Sequence, residues 1–212
     1  MCDAVNLTYI ERHKSILEGA RRVLEVGSYN VNGNSKQFFV ERGAEFIGID
    51  IRPGPDVDLV CDITDDSSRV ASALGERTFD LVVCMNVLEH LYRPHIALDN
   101  IVRLVCSGGH VLIVTPAVWD LHDWPHDYVR LNPDFFREFA RESDMEIVDR
   151  TFEFSIRDTG VFVSDLSSLP QVVPQLHGSI AARIFRRAVA VLVPEAADCW
   201  PRIYLNLILQ RT

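Results

Sequence analysis

The sequence lacks any run of about 18 to 20 apolar residues, which is the length needed to cross a membrane. Its first residues also lack the basic start and apolar stretch of a secretory signal. The five cysteines lie far apart, with no Cys-x-x-Cys pair. We therefore expect reduced thiols and a soluble, cytoplasmic protein.

Basic residues are scarce, with 21 Lys and Arg against 30 Asp and Glu, for a net charge of −9. This balance argues against a nucleic-acid backbone as the main partner. Internal repeats and low-complexity segments are absent. A chain of 212 residues suits one domain with a substantial core.

The stretch from residue 21 to residue 33 organises the chain. An apolar strand over 22–26 ends at Gly27, and a helical pattern begins at Ser35. A strand, a glycine turn and a helix are typical of the first unit of a doubly wound α/β sheet. Because Gly27 has no Cβ and the next helix begins with free N–H groups, a cofactor can approach this turn closely.

The remaining pattern alternates strands with helices, which predicts a mostly parallel, seven-stranded sheet in one domain over residues 1–212. The last strand can insert antiparallel, and residues 158–200 form a lid insertion before it on the substrate side. The predicted strands are 22–26, 44–49, 57–61, 79–84, 110–114, 145–156 and 202–210, and the main predicted helices are 7–20, 35–41, 68–74, 94–105 and 179–193. The Gly108-Gly109 pair is predicted to close the helix 94–105.

Carboxylates lie at the predicted carboxyl ends of three successive strands, where α/β sheets bind ligands. Asp50 can accept the hydroxyls of a ribose, Asp62 can accept the amine of an adenine, and Glu25 favours positive charge. The alternatives are that Glu25 caps the following helix and that the two aspartates are ordinary turn residues. Together the three suit a nucleoside-like ligand.

The glycine spacing distinguishes between cofactors. A dinucleotide turn needs G-x-G-x-x-G, but Tyr29 occupies the second glycine position and Gly33 comes too late for the third. A nicotinamide-dependent oxidoreductase is therefore the less favoured alternative. A cationic nucleoside without phosphates fits better, and S-adenosylmethionine is the candidate.

Three segments resemble the motifs of class I S-adenosylmethionine-dependent methyltransferases, of the small-molecule type similar to methyltransferase domain 11 proteins. Residues 23–33 resemble motif I, 79–91 the fourth-strand motif and 108–116 the fifth-strand motif. Residues 122–130 resemble the H-x-x-P-x-D-Y-x-R loop of small methyltransferases, several of them associated with sugar or cell-surface biosynthesis. The resemblance covers residues 20–150 and implies a Rossmann-like methyltransferase fold.

The resemblance implies that one group of residues lines the methionine end of the cofactor. Glu25 and Gly27 contact it, and Ser28 and Tyr29 belong to the same turn. Asn86, just past the fourth strand, meets the amino-acid end close to the reacting methyl group. Tyr29 departs from the family pattern, in which most relatives have glycine.

A second group is implied at the nucleoside end. Asp50 holds the ribose and Ile51 packs on the adenine. Asp62 takes the adenine amine, and Ile63 adds a backbone contact.

An alcohol acceptor must lose its proton during methyl transfer, which requires a base. The polar loop after the fifth strand offers His122 as the first candidate base and His126 as the second. The alternative is that His122 packs beneath the lid while Asp127 pairs with Arg130 to fix the loop. No metal is assigned, because no His or Asp spacing in this loop is diagnostic.

Two further features leave alternatives open. Glu89-His90 can be either helix-start residues or members of the site. The basic amphipathic helix 179–193 can be a lid, a homodimer face, or a surface for an anionic membrane or acidic substrate.

The sequence thus predicts methyl transfer from S-adenosylmethionine to an oxygen or nitrogen of a small molecule, such as a sugar or another secondary metabolite. The alternative outside enzymes is a non-catalytic relative that binds the cofactor as a scaffold for a partner protein.

Overall fold

A computed structural model describes residues 4–31, 33, 35–157, 160–164 and 202–212. These residues form one nine-stranded sheet with helices on both faces. The strands are β1 (Arg22–Val26), β2 (Glu45–Asp50), β3 (Leu59–Val60), β4 (Phe79–Met85), β5 (Val105–Val118), β6 (Met145–Ile147), β7 (Glu153–Ile156), β8 (Val161–Val163) and β9 (Ile203–Arg211). The helices are α1 (Ala4–Arg12), α2 (Lys14–Leu17), α3 (Lys36–Val40), α4 (Ser67–Ala73), α5 (Pro94–Leu104) and α6 (Pro133–Glu142), and a 3₁₀ turn spans Leu88–His90.

The strand order is β3-β2-β1-β4-β5-β9-β7-β8, with β6 also paired to β9. Strands β1 to β5 pair in parallel, whereas every pairing that involves β6 to β9 is antiparallel. The predicted doubly wound α/β fold and the antiparallel last strand are confirmed. The carboxyl ends of β1, β2 and β4 meet at one edge of the sheet, where the glycine turn lies.

The sheet has two more strands in the described residues than the seven predicted. The predicted strand 145–156 is divided into β6 and β7 because the chain turns at Arg150, whose φ is +59°. Both pieces pair with β9. The second added strand, β8, forms a hairpin with β7 and lies in the range predicted as an insertion.

Strand β5 is longer than predicted, because the Gly108-Gly109 pair lies within it rather than ending α5. Gly108 has a φ of +78°, which glycine adopts without strain. The pairing register between β4 and β5 shifts between Phe79 and Leu81, so the glycines accommodate an irregularity in a continuing strand.

The core consists of two apolar layers, because alternate strand residues point to opposite faces of the sheet. Leu24 belongs to the layer beneath α4, α5 and α6, and Val23 to the layer beneath α1, α2 and α3. The hydroxyl of Tyr9 on α1 donates to the carbonyl of Thr151 at 2.6 Å, which fixes that helix to the sheet.

The predicted helix 7–20 is divided into α1 and α2. The predicted helix 179–193 lies outside the described residues, as does most of the 158–200 insertion. Among the described helices, none combines the length and apolar character needed to cross a membrane.

Candidate active site at the carboxyl edge of the sheet

The glycine turn after β1 is tied to its neighbours on both sides. The N–H groups of Gly27 and Ser28 both donate to the carbonyl of Ile49, at 2.8 and 3.0 Å. Gly27 has a φ of +76°, and a Cβ at this position would lie 2.2 Å from Cγ2 of Val87. Glycine is therefore required here, both for its backbone conformation and for the close approach of the segment that follows β4.

Glu25 is buried at the end of β1. One carboxylate oxygen, Oε1, accepts from the N–H and the hydroxyl of Ser35, at 3.4 and 3.2 Å. The other, Oε2, has no hydrogen-bond partner in the described part of the chain. Burial raises the pKa of Glu25 to about 7. Contact with the start of α3 thus occupies one oxygen, and the second is available to a cationic ligand.

Tyr29 occupies the second glycine position of the turn, and its ring is directed toward the loop between β2 and β3. Its N–H donates to Oδ2 of Asp50 at 3.3 Å, and the guanidinium of Arg52 lies 4.3 Å from its ring centroid. A Cβ on Gly54 would lie 2.0 Å from Cε2 of Tyr29, so the ring packs directly on the backbone of the β2–β3 loop. Tyr29 also links the glycine turn to the carboxylate that ends β2.

The predicted nucleoside-end residues lie beyond β2 and β3. The side chain of Ile51 is 68% exposed, which leaves its surface available for an adenine. Asp62 is exposed, and its Oδ1 accepts from the N–H and hydroxyl of Thr64 at 2.8 and 2.7 Å, as the turn alternative predicts. The side chain of Ile63 is buried in the core, so only its backbone can contact a ligand.

Ser28 and Asn86 occupy more enclosed positions. The hydroxyl of Ser28 is buried against Gly48 of β2, where an added Cβ would lie 2.6 Å from it. Asn86 is buried with a φ of +55°, and its N–H donates to the carbonyl of Val114 at 2.8 Å. This bond holds Asn86 just past the end of β4, as predicted.

The loop after β5 folds back over the 3₁₀ turn that follows β4. The N–H of Tyr128 donates to the carbonyl of Glu89 at 2.8 Å. Nδ1 of His90 lies 2.7 Å from the carbonyl oxygen of His126, and the rings of His90 and His122 lie 4.9 Å apart between centroids. Folding of the loop therefore places two imidazoles next to each other.

Asp127 fixes this loop. Its buried carboxylate accepts two hydrogen bonds from the guanidinium of Arg130, through both oxygens. It also accepts from the N–H of His122 at 3.0 Å, and Nδ1 of His122 lies 3.2 Å from the same oxygen. The hydrogen bonds from Arg130 lower the pKa of Asp127 to about 2, so the carboxylate remains ionised. Asp127 therefore pairs with Arg130 and orients His122 at the same time.

Glu89 is 1% exposed, and neither of its carboxylate oxygens has a hydrogen-bond partner among the described residues. Burial raises the pKa of Glu89 to about 7. Oε1 of Glu89 lies 3.7 Å from Nε2 of His90. One potential ligand atom each from Glu89, His90 and His122 lies within 4.8 Å of the others. We call these three residues the Glu-His-His cluster.

A family model described as a methyltransferase domain matches residues 4–146. The chain belongs to this family. It is 27% identical over 183 residues to a ubiquinone biosynthesis O-methyltransferase of Acinetobacter baylyi, covering 78% of this chain and 73% of the relative. A solved S-adenosylmethionine-dependent methyltransferase from Archaeoglobus fulgidus has a TM-score of 0.54 at 18% identity, over 97% of this chain and 94% of that one. The O-methyltransferase of a trans-AT PKS multienzyme of Brevibacillus brevis, solved with S-adenosyl-L-homocysteine, has a TM-score of 0.54 at 13% identity, covering 97% and 71%.

The chain is thus a class I S-adenosylmethionine-dependent methyltransferase, and the expectation from its motifs is confirmed. The residues of this methyltransferase fit that cofactor. Glu25 presents a buried oxygen that has no hydrogen-bond partner among the described residues, Asp50 ends β2 beside the turn, and Ile51 exposes an apolar side chain next to it. These features match a ligand with an ammonium group, a ribose and an adenine.

The structure places the two predicted catalytic residues in different surroundings. His122 lies in the cluster, whereas the exposed ring of His126 lies outside it, with Nδ1 3.1 Å from the hydroxyl of Tyr128. The sequence pattern left Glu89 and His90 undecided. The available signal was their position directly after the strand that carries the fourth methyltransferase motif.

Proposed function

We propose that this methyltransferase transfers a methyl group from S-adenosylmethionine to a hydroxyl oxygen of a small molecule. The observation that carries the proposal is the position of the Glu-His-His cluster beside the glycine turn. The two are connected because Gly27 contacts Val87, which directly precedes the 3₁₀ turn that carries Glu89 and His90. A hydroxyl must lose a proton to react well, whereas a neutral amine already has a free lone pair. A cluster of basic groups therefore favours oxygen over nitrogen. The relative from Acinetobacter baylyi is also named as an O-methyltransferase.

In this proposal the cofactor is held by residues at the carboxyl ends of four strands, β1 to β4. Oε2 of Glu25 accepts from its ammonium group, Asp50 accepts from the ribose hydroxyls, and Ile51 packs on the adenine. Asn86 contacts the amino-acid end, and Asp62 and the backbone of Ile63 complete the adenine site. When bound, S-adenosylmethionine supplies a methyl group on a positively charged sulfur.

The acceptor loses its proton at the cluster. Nδ1 of His122 lies 3.2 Å from both the carbonyl oxygen of Asp120 and Oδ2 of Asp127, so Nε2 is the ring atom that remains to take a proton. The carboxylate of Asp127, which Arg130 keeps ionised, stabilises the charge that a protonated His122 carries. Much of the acceleration in such displacements comes from holding the two reacting atoms in line at close range.

Exposed aromatic side chains around the cluster favour an acceptor with a ring, such as a phenol or a sugar. Tyr92 is 78% exposed and Trp124 is 85% exposed. The rings of Tyr92 and Tyr128 lie 5.8 Å apart between centroids. Rings of this kind offer flat apolar faces together with polar edges.

We propose further that residues 158–200 form an insertion on the substrate side and a homodimer contact. Its described flanks support this location. Arg202, which precedes β9, forms an ion pair with Asp120 in the loop after β5 at 3.1 Å, and its carbonyl accepts from the N–H of Arg157 at 3.0 Å. Replacing residues 165–200 by a short glycine linker should raise the KM for the acceptor, leave cofactor affinity unchanged and yield a monomer in light scattering.

The test of the proposed function is calorimetric titration with S-adenosylhomocysteine, followed by a screen of phenols, sugars and amines for methyl transfer. We expect binding of S-adenosylhomocysteine without binding of NADH, and methylation of a hydroxyl compound. His122→Ala should lower turnover while S-adenosylhomocysteine still binds. Methylation of amines alone would overturn the choice of oxygen. Cofactor binding without transfer to any acceptor would support the scaffold alternative instead.

A further inference from the structure

We propose that Glu89, His90 and His122 bind one divalent transition-metal ion. The role we give the ion in catalysis rests on the proposed function, but the binding site itself does not. The proposal stands on the spacing of the three donors, on the groups that orient them, and on the buried carboxylate.

The three donors are spaced as an ion requires. One ligand atom from each lies within 4.8 Å of the others, and Oε1 of Glu89 is 3.7 Å from Nε2 of His90. Zinc binds nitrogen and oxygen ligands at about 2.0–2.2 Å, which places tetrahedral ligands about 3.4 Å apart. Small side-chain movements therefore suffice to close the site around an ion.

Both imidazoles are already oriented as metal ligands are. A ligating histidine normally donates its other ring N–H to a carbonyl or carboxylate, which fixes the tautomer and the ring plane. Nδ1 of His90 lies 2.7 Å from the carbonyl oxygen of His126, and Nδ1 of His122 lies 3.2 Å from both the carbonyl oxygen of Asp120 and Oδ2 of Asp127. Each contact leaves the lone pair on Nε2 for an ion.

The carboxylate of Glu89 supplies the second, independent observation. It is 1% exposed, and neither oxygen has a hydrogen-bond partner in the described part of the chain. Burying a carboxylate without partners costs free energy, and buried charges are normally paired or coordinate metals. Asp123 adds negative charge on the solvent side, with Oδ2 3.7 Å from Nε2 of His90. An ion between these groups would satisfy Glu89.

The donor set favours particular metals. Two imidazoles and one carboxylate suit zinc, cobalt, iron or manganese, whereas magnesium prefers oxygen ligands and keeps several waters. Three protein ligands leave at least one coordination position for water or an acceptor hydroxyl, as in catalytic zinc sites.

The proton transfer to Nε2 of His122 described above applies to the protein without an ion; when an ion is bound, the ion itself promotes ionisation of the acceptor hydroxyl. A hydroxyl bound to such an ion loses its proton near neutral pH, and the proton passes to water. The oxygen keeps the electron pair and forms the C–O bond. The C–S bond breaks at the same time, its electron pair stays on sulfur, and S-adenosylhomocysteine leaves. His122 then acts as a ligand rather than as a base.

The test is a titration of the full chain, without a histidine tag and after treatment with EDTA, with Co(II) followed by visible absorbance. We expect one bound ion per chain, displaced by Zn(II). Glu89→Gln, His90→Ala and His122→Ala should each weaken Co(II) binding by about tenfold or more, as loss of a ligand should be at least as costly as loss of its supporting group. The exposed His95 on α5 provides the matched control, and His95→Ala should bind Co(II) as the wild type does.

S-adenosylhomocysteine binding and circular dichroism identify variants that do not fold. Glu89→Gln nearly preserves the shape of its side chain, so it keeps the test decisive if an alanine variant fails. Absence of Co(II) binding, or binding that survives all three substitutions, would overturn the metal site. Co(II) binding without methyl transfer would support the metal site and contradict the proposed function. Methyl transfer that is unaffected by EDTA, with no Co(II) binding, would support the proposed function and overturn the metal site.

Discussion

At the scale of single residues, Glu25 connects cofactor binding to pH. Its pKa is raised from 4.5 to about 7 by burial, so the folded state holds this proton more tightly than the unfolded state does. Stability should therefore fall as pH rises from about 4.5 through 7, since the unfolded chain releases its proton first. The total loss is on the order of 3 kcal/mol, because each pKa unit corresponds to about 1.4 kcal/mol.

Glu25→Gln should remove this decline. Urea unfolding gives the free energy of unfolding of the variant and of the wild type across this pH range. The value for the variant relative to the wild type should be lowest near pH 4.5 and should rise steadily up to pH 8. S-adenosylhomocysteine affinity of the wild type should rise over the same range, because the ionised carboxylate attracts its ammonium group. Parallel stability curves for the two proteins would contradict the raised pKa.

Gly27 permits a sharper test of the turn. Gly27→Ala should destabilise the protein and weaken S-adenosylhomocysteine binding, because the new Cβ would lie 2.2 Å from Cγ2 of Val87 and φ is +76°. Val87→Ala removes the contacting methyl groups. The double variant should therefore lose less stability than the sum of the two single variants, although a backbone cost of about 1 to 2 kcal/mol remains. A strictly additive double-mutant cycle would show that the contact is unimportant.

At the scale of elements, the loop after β5 depends on one carboxylate. Asp127→Asn keeps the shape of the side chain but removes the charge that binds Arg130 and orients His122. Turnover should fall about ten- to a hundredfold, as is typical when a supporting carboxylate is removed, with little change in S-adenosylhomocysteine affinity. The control is Asp134→Asn on α6, which breaks an exposed ion pair with Arg137 at 2.7 Å and should have little effect. Equal loss of turnover in both variants would contradict a specific role for Asp127.

The central strands could be predicted from the sequence because their signals are local. Strands β1 and β4 are buried on both faces, so they appear as continuous apolar runs, and their predicted bounds agree with the structure to within one residue. The division at Arg150 could not be predicted, since a non-glycine residue with positive φ gives no local signal. The prediction that the Gly108-Gly109 pair ends a helix was wrong for a related reason, because glycine both ends helices and permits irregular strands.

The site was predictable only where one segment carries the signal. The turn at Gly27 and the carboxylate of Asp50 follow their strands directly, so sequence order places them at one edge. The cluster is different, because Glu89 and His90 follow β4 whereas His122 follows β5. Their approach depends on hydrogen bonds from the second loop to the first, such as that from Tyr128 to Glu89. Nothing in the spacing of either segment reveals this.

At the scale of the whole molecule, the two ligand sites proposed above share the carboxyl edge of the parallel strands. The glycine turn contacts the segment after β4, and the loop after β5 covers that segment. The segment after β4 therefore belongs to both the proposed cofactor site and the cluster. Methyl group and acceptor would meet there, where three consecutive spatial neighbours, β1, β4 and β5, end.

Cofactor binding should therefore stabilise the entire fold, and a thermal unfolding scan measures this. A ligand at a hundred times its Kd adds about 2.7 kcal/mol to the stability of the folded state. For a domain of this size each kcal/mol raises Tm by about 2 to 4 °C, so S-adenosylhomocysteine should raise Tm by roughly 5 to 10 °C. The same concentration should shift Asp50→Ala far less, because hydrogen bonds to a charged group are worth about 1.5 to 3 kcal/mol. An equal shift in Asp50→Ala would place the ribose elsewhere, and an equal shift by NADH would contradict selectivity for the methyl donor.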